Sequence, residues 1–304
     1  MNPANPFHIK MFLSLLRITF QEWWNDNIIR FAASLAFYMV FSLAPILLIV
    51  VEAVSLIFSK ERVKEEALNQ IEMLIGPQGA AVAKQAMISF GLTDYSPFAA
   101  FIGVLGVLIG STAVFAELHA ALNKIWDVHP KPQRSLLKGM LMDRLRSLSI
   151  VLGVGFLLSV SLTINAVIAV MQSFFDTMIP GVPWVWRILN SGSSFFVVFL
   201  LFAMIYKYLP DVMITWLSVG LGAAVTALLF TAGKFLIGIY LGRMAIAGAY
   251  GAAGSFAVLL VWVYYSALIS LFGAELTQVY SRRFGASVRP KSYATWIGEK
   301  SIPV

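Results

Sequence analysis

Residues 216–240 read WLSVGLGAAVTALLFTAGKFLIGIY, a run that carries one charged side chain, Lys234. About 20 residues of α-helix cross the hydrocarbon of a bilayer, so the run is long enough to span. In lipid a segment must satisfy its own backbone N–H and C=O groups, which a helix does. On either side of it, five more stretches share this character, near 31–58, 98–117, 147–171, 188–209 and 254–275. The chain therefore reads as an all-α integral membrane protein with six transmembrane helices.

Composition points the same way. Hydrophobic residues make up 59% of the 304 and charged residues 12%, against roughly 45–50% apolar usage in soluble domains. A net charge of +7 would suit a nucleic-acid binder, but here it sits at helix ends, the membrane arrangement. The chain has no cysteine, which excludes disulfides, thiolate zinc sites, iron–sulfur clusters and a cysteine nucleophile. Residues 1–30 lack the apolar core and small-residue cleavage site of a secretory signal, so no leader is expected.

Three regions follow: an amphipathic N-terminal helix within 1–30, a membrane domain over 31–280, and a basic tail over 281–304. In the first, Phe7, Met11, Leu15, Leu16, Phe20 and Trp23 recur at helical spacing opposite Lys10, Ser14, Arg17 and Gln21. Two readings stand: a helix lying on the membrane surface, and one packed on the protein's own cytoplasmic loops. Between the first two spans, 59–97 forms a helical outer segment, with a charged amphipathic stretch from Lys60 to Ile75 and a Gly76-Pro77-Gln78-Gly79 turn.

Orientation follows from lysine and arginine placement, because these residues are retained on the cytoplasmic side. The N-terminal segment, the second and fourth loops and the tail hold fifteen of them, and the opposite face six. Both termini are therefore expected in the cytoplasm. Trp126 and Trp216 fall at inner span ends and Trp184 and Trp186 at outer ones, consistent with that frame. Gly103, Gly106 and Gly110 place a small-residue stripe on the second span, which suits close helix packing. The Gly110-Ser111 and Gly254-Ser255 echo is too short to establish an inverted repeat.

Several motifs taken together carry a resemblance. They are Ala32-Ala33-Ser34-Leu35-Ala36-Phe37-Tyr38 with Ser42-Leu43-Ala44-Pro45; Gly76-Pro77 with Gly79; Leu118-His119 with Asn123-Lys124-Ile125-Trp126; and Tyr206-Lys207-Tyr208-Leu209-Pro210-Asp211. Further on come Tyr250-Gly251-Ala252-Ala253-Gly254-Ser255, Trp262-Val263-Tyr264-Tyr265 and Phe272-Gly273-Ala274-Glu275-Leu276-Thr277. From about residue 20 to 285 the chain resembles the YihY/BrkB family of bacterial inner-membrane proteins, some of which were once labelled ribonuclease BN. The resemblance implies a six-span protein of the bacterial cytoplasmic membrane, with transport the usual suggestion. It supplies no catalytic or ligand residues.

Candidate sites come instead from the cost of ionisable groups inside spans, roughly 2.5–3.5 kcal/mol at a helix centre on insertion scales. Glu52 and Lys234 lie at similar depth with opposite sign and form a candidate outer charged pair. The plainer reading is that Lys234 snorkels to the interface and Glu52 ends its helix. An inner polar layer gathers Glu117, Lys124, Asp143, Arg144, Arg146, Lys207, Asp211 and Glu275, either as a vestibule or as an ion-paired collar. Glu117 and Lys124, seven residues apart, share a helical face. Tyr38, Ser42, Pro45, Asn165, Tyr264 and Tyr265 are candidates to line a central cavity, where Pro45 frees a backbone carbonyl. Interhelical hydrogen bonding is the commoner use of such residues.

Three function classes bear on these residues. A transporter or translocator of a solute or lipid fits the charged layers; no Walker A or GxGxxG motif is present, so transport would be secondary or passive. A nuclease would need clustered metal ligands, yet His8, His119 and His129 form no such cluster. A non-catalytic component that holds partners suits the amphipathic helix and outer segment. No enzyme activity, metal or cofactor is expected. The expected partners are the bilayer, anionic lipid at the cytoplasmic face and the unidentified cargo, without nucleic acid, and a homo-oligomer is compatible.

Overall fold

The structure is a computed structural model that describes residues 9–40, 113–131, 183–243, 246–284 and 288–297, with single positions at 59, 61, 65, 68, 69, 84, 168 and 171. Helices α1 (Ile9–Asn25), α2 (Ile28–Val40) and α3 (113–125) come first. Then follow α4 (Pro183–Tyr208), α5 (Trp216–Arg243) and α6 (Ile246–Phe284). Four short strands, unanticipated from the sequence, are β1 (Val128–Pro130), β2 (Val212–Met213), β3 (Arg289–Pro290) and β4 (Ala294–Trp296).

Among the described residues three segments are long and apolar enough to cross a membrane: Ser191–Tyr208, Trp216–Leu236 and Leu259–Phe284. They fall on the expected spans at 188–209, 216–240 and 254–275. The last of these helices continues to Phe284, past the anticipated end at 275. Helix α2 holds the start of the expected span 31–58, and α3 the end of 98–117. The rest of those two, nearly all of 147–171 and most of the outer segment 59–97 lie outside the described residues.

The chain divides into two compact units. The first contains Met1–Asp26, Leu122–Leu229 and Phe272–Val304, and the second Asn27–Ala121 and Phe230–Leu271.

In the first unit, α5 and α6 approach at glycines. A Cβ on Gly222 would overlap the Thr277 hydroxyl and the Gly273 carbonyl, and one on Gly273 would overlap the Thr226 hydroxyl and the Tyr206 phenol. The threonines beside them turn their hydroxyls onto their own helices. Thr226 Oγ1 donates to Gly222 O and Thr277 Oγ1 to Gly273 O, both at 2.8 Å. With the Thr226 proton committed, Tyr206 Oη is the donor in its 2.8 Å bond to Thr226 Oγ1. This gives close packing by small residues, with every hydroxyl partnered.

The end of the same unit is closed by backbone pairing. Helix α3 gives way to a turn at Trp126 and Asp127, and Asp127 adopts a left-handed φ of 51°, a conformation Asn and Asp tolerate better than most. Strand β1 then pairs antiparallel with β4, and β2 with β3. Asp211, 0% exposed, joins the pieces. Its carboxylate accepts from Asn123 Nδ2 and from the Tyr293 phenol, each at 3.0 Å. Its backbone N–H donates to Asn123 Oδ1 at 2.8 Å, and its carbonyl accepts from the Lys291 N–H at 2.9 Å. The basic tail is thus held against the loops after α3 and α4.

The second unit has a core of Ala36, Val40, Leu259, Trp262 and Val263, with Met39, Phe230, Tyr264 and Tyr265 packed on it. Phe230 meets Trp262 edge-on at 5.3 Å, and Trp262 stacks on Tyr265 at 6.1 Å. Gly233 admits the Tyr265 ring, which a Cβ would strike.

Two substitutions test this packing. Gly222→Ala must push against the Gly273 backbone, so it is expected to destabilise the protein by about 1–3 kcal/mol, the usual cost of overpacking, in a denaturation series in detergent. Asp211→Ala leaves the Asn123 amide and the Tyr293 hydroxyl without their acceptor. A loss of about 2–4 kcal/mol is expected, together with faster proteolysis within 288–297.

Candidate functional site

The first unit collects much of the expected inner polar layer. Helix α1 ends at Asn25 and leaves Asp26 beside the end of α3, where Lys124 Nζ lies 3.1 Å from Asp26 Oδ1 and 4.0 Å from Asp127 Oδ1. Arg282 of α6 closes the chain of charges, its Nη2 donating to Asp127 Oδ2 at 2.8 Å. Burial raises the Asp26 carboxyl above its ordinary 3.8, and the hydrogen bond and charge of Lys124 oppose the rise. Lys207 donates to the Ile214 carbonyl and sits 5.4 Å from the centre of the Trp216 ring.

Glu275 behaves differently. It is 0% exposed, and neither carboxylate oxygen has a hydrogen-bond partner among the described residues. Among the described residues the charges that act on it are Asp26, Glu22, Arg282 and Asp127, of which Arg282 alone is positive. That guanidinium is already engaged by Asp127.

Helix α1 meets the same end of α6. Arg283 Nη1 donates to Ser14 Oγ at 3.1 Å, and Leu15 and Thr19 are buried. One face of this helix thus packs within the protein, with its bond running to α6 and not to a loop. Leu13, Phe20 and Trp24 remain exposed on another, an apolar stripe suited to a membrane interface.

The other candidates sit elsewhere. Glu117, half-buried on α3, belongs to the second unit. Lys124 takes Asp26 as its near partner. Lys234 is exposed on α5, and Glu52, its proposed mate, lies outside the described residues. So do Asp143, Arg144, Arg146, Ser42, Pro45 and Asn165. Tyr38 is half-buried on α2, with its ring 5.8 Å from that of Phe37. Tyr264 and Tyr265 pack against the apolar core of the second unit.

Asp26, Asp127 and Thr19 escaped the sequence reading. The Asn25-Asp26-Asn27 run marks a helix end, and Asn27 does adopt a left-handed φ of 54°. That signal locates a turn without showing which charge the turn will meet.

The raised Asp26 carboxyl has a definite sign. A carboxyl whose folded-state value exceeds its unfolded one binds more protons when folded, so its contribution to stability is present below 3.8 and is lost as pH rises through the folded-state value. In Lys124→Met the opposing charge is gone. Its stability relative to wild type is expected to fall further as pH rises through that window, as read from melting curves across acidic pH.

Comparison with known proteins places these features in a wider group. The family model described as Virulence factor BrkB matches residues 19–295. A "UPF0761 membrane protein" of Psychrobacter sp. (strain PRwf-1) is 24% identical over 289 residues, covering 94% of this chain and 52% of that protein. One of Verminephrobacter eiseniae is 27% identical over 220 residues, covering 70% of this chain and 50% of that protein. One of Actinobacillus pleuropneumoniae serotype 5b is 24% identical over 283 residues, covering 91% and 94%. The chain thus spans about half the length of the first two relatives and nearly all of the third. No solved structure matches it. With its apolar helices and a match over most of its length, the chain is a membrane protein that belongs to the BrkB family.

Proposed function

We propose that this protein crosses the bacterial cytoplasmic membrane six times, with both termini inside, and moves a solute or lipid across it without ATP. The observation that supports this reading most is the Glu275 carboxyl, buried on an apolar helix and without a hydrogen-bond partner among the described residues. An intramembrane ionisable group is costly to keep, and in membrane proteins such groups mark solute, ion and proton pathways. The excess of lysine and arginine on one face supports the orientation and predicts contact with anionic lipid there. No catalytic chemistry is assigned to the protein.

A second reading, a non-catalytic component that holds partners, draws on the first unit. There the tail is tied into the loops after α3 and α4, and α1 leaves an apolar stripe exposed.

Reconstitution separates the two. Full-length protein in liposomes is expected to speed the bilayer crossing of a fluorescent phosphatidylglycerol, or the counterflow of a member of a solute panel. Glu275→Gln is expected to slow that flux by about tenfold, equivalent to 1.4 kcal/mol in a barrier. Protein that moves neither probe but co-purifies with a stable partner would replace transport with the partner-holding reading.

A further inference from the structure

The bond from Arg283 to Ser14 joins α1 to α6 within the first unit. Glu275 lies eight residues before Arg283, and Glu22 eight residues after Ser14, or about 12 Å along either helix at 1.5 Å per residue. Glu22 and Asp26 also act on the Glu275 charge, so the stretch of α1 after Ser14 leads back along α6 towards Glu275. Trp23 and Thr19 belong to that stretch, one residue after Glu22 and about one turn before it. The Thr19 hydroxyl and the Trp23 indole N–H are buried and, like Glu275, have no hydrogen-bond partner among the described residues.

A buried carboxylate without a partner is costly, and every carboxylate acting on this one worsens the cost. Glu22 and Asp26 act on it from α1 and Asp127 from the turn after α3, while Arg282 on its own helix and Lys124 on α3 are engaged with those acids. Four carboxylates thus meet two cations, both already engaged, and Glu275, the most buried of the four, has no cation of its own among the described residues. Among the described residues no three His, Asp or Glu side chains are placed to hold a metal ion, which argues against a divalent cation with its six or more oxygen ligands.

We propose that the seam between α1 and the end of α6 binds a single monovalent cation, a proton or an alkali-metal ion, with Glu275 as its anionic ligand. The proposal rests on the transport reading and supplies it with a coupling ion. The Thr19 hydroxyl both donates and accepts, so it serves a bound ion as a ligand and the empty carboxylate as a donor. The Trp23 N–H only donates and serves the carboxylate. In the proton form, one proton moves from water to a carboxylate oxygen on loading and returns to water on release.

Infrared difference spectra of the full-length protein in lipid nanodiscs test this. One exchange steps pH at fixed salt, and the other replaces choline with sodium at fixed pH. A carboxyl band that switches with pH in wild type and is absent from Glu275→Gln identifies the proton. A carboxylate band that shifts with sodium and is absent from the variant identifies the metal ion. Identical difference spectra from wild type and Glu275→Gln in both exchanges overturn the site. If Glu275→Gln does not accumulate, Glu275→Asp keeps the group, and an unmoved band overturns the site equally. The spectra do not depend on flux: a switching band in a protein that moves nothing retains the site and removes the transport reading, whereas flux without the band does the reverse.

Discussion

A carboxylate removed from water loses several kcal/mol of solvation, and only hydrogen bonds or an opposite charge return it. The first unit meets this constraint in two ways. Asp211 takes two side-chain donors, and its own backbone ties down Asn123 and Lys291, so the buried charge acts as a clasp for three separate segments. Glu275 is equally buried and takes none. The same chemistry serves as structure at the first position and leaves an unmet charge at the second. This contrast is why the functional argument turns on Glu275.

Tolerating such a group requires the helices around it to be held firmly by something else. In a bilayer the hydrophobic effect does not draw helices together, so packing and interhelical hydrogen bonds must do it. Gly222 and Gly273 let α5 and α6 approach to backbone contact, and Tyr206, Thr226 and Thr277 fill the seam with mutually satisfied hydroxyls. Gln278 reaches the Ile125 carbonyl at 3.0 Å and ties α6 to the end of α3. These contacts are short, specific and independent of the charge on Glu275. A cation can then come and go without loosening the bundle.

The helices were legible because 216–240, 188–209 and 254–275 are long apolar runs, and run length is a property of the chain alone. The extension of α6 to Phe284 was not, since Glu275, Gln278 and Arg282 look like the end of a span until one sees that the helix continues through protein contacts. The short strands were invisible for a related reason. Val212–Met213 and Arg289–Pro290 have no alternating pattern of their own, and their pairing depends on Asp211 meeting Tyr293 and Lys291 across about 80 residues. Among site residues, Glu275, Lys124 and Asp211 stood out because charge near an apolar run is rare. Thr19 and Trp23 did not, because a threonine or tryptophan in an amphipathic helix carries no sign of whether its polar atom will find a partner.

The geometry of α6 explains why Glu275 rather than a neighbour is left unmatched. At about 100° per residue, Gly273 and Thr277 share one face, which is given over to α4 and α5. Gln278 lies about 140° round from Gly273 and is spent on α3, and Arg283 lies about 80° short of a full turn from it and is spent on α1. Glu275, about 200° from Gly273, falls between those last two directions, where carboxylates on α1 and after α3 act on it and no donor among the described residues reaches it. Arg282 occupies nearly the same direction two turns later and is drawn off by Asp127. Among the described residues Glu275 is the charged group on these faces left without a hydrogen-bond partner, and the acids that act on it outnumber the cations, so what completes it has to be positive and small enough to enter a buried seam.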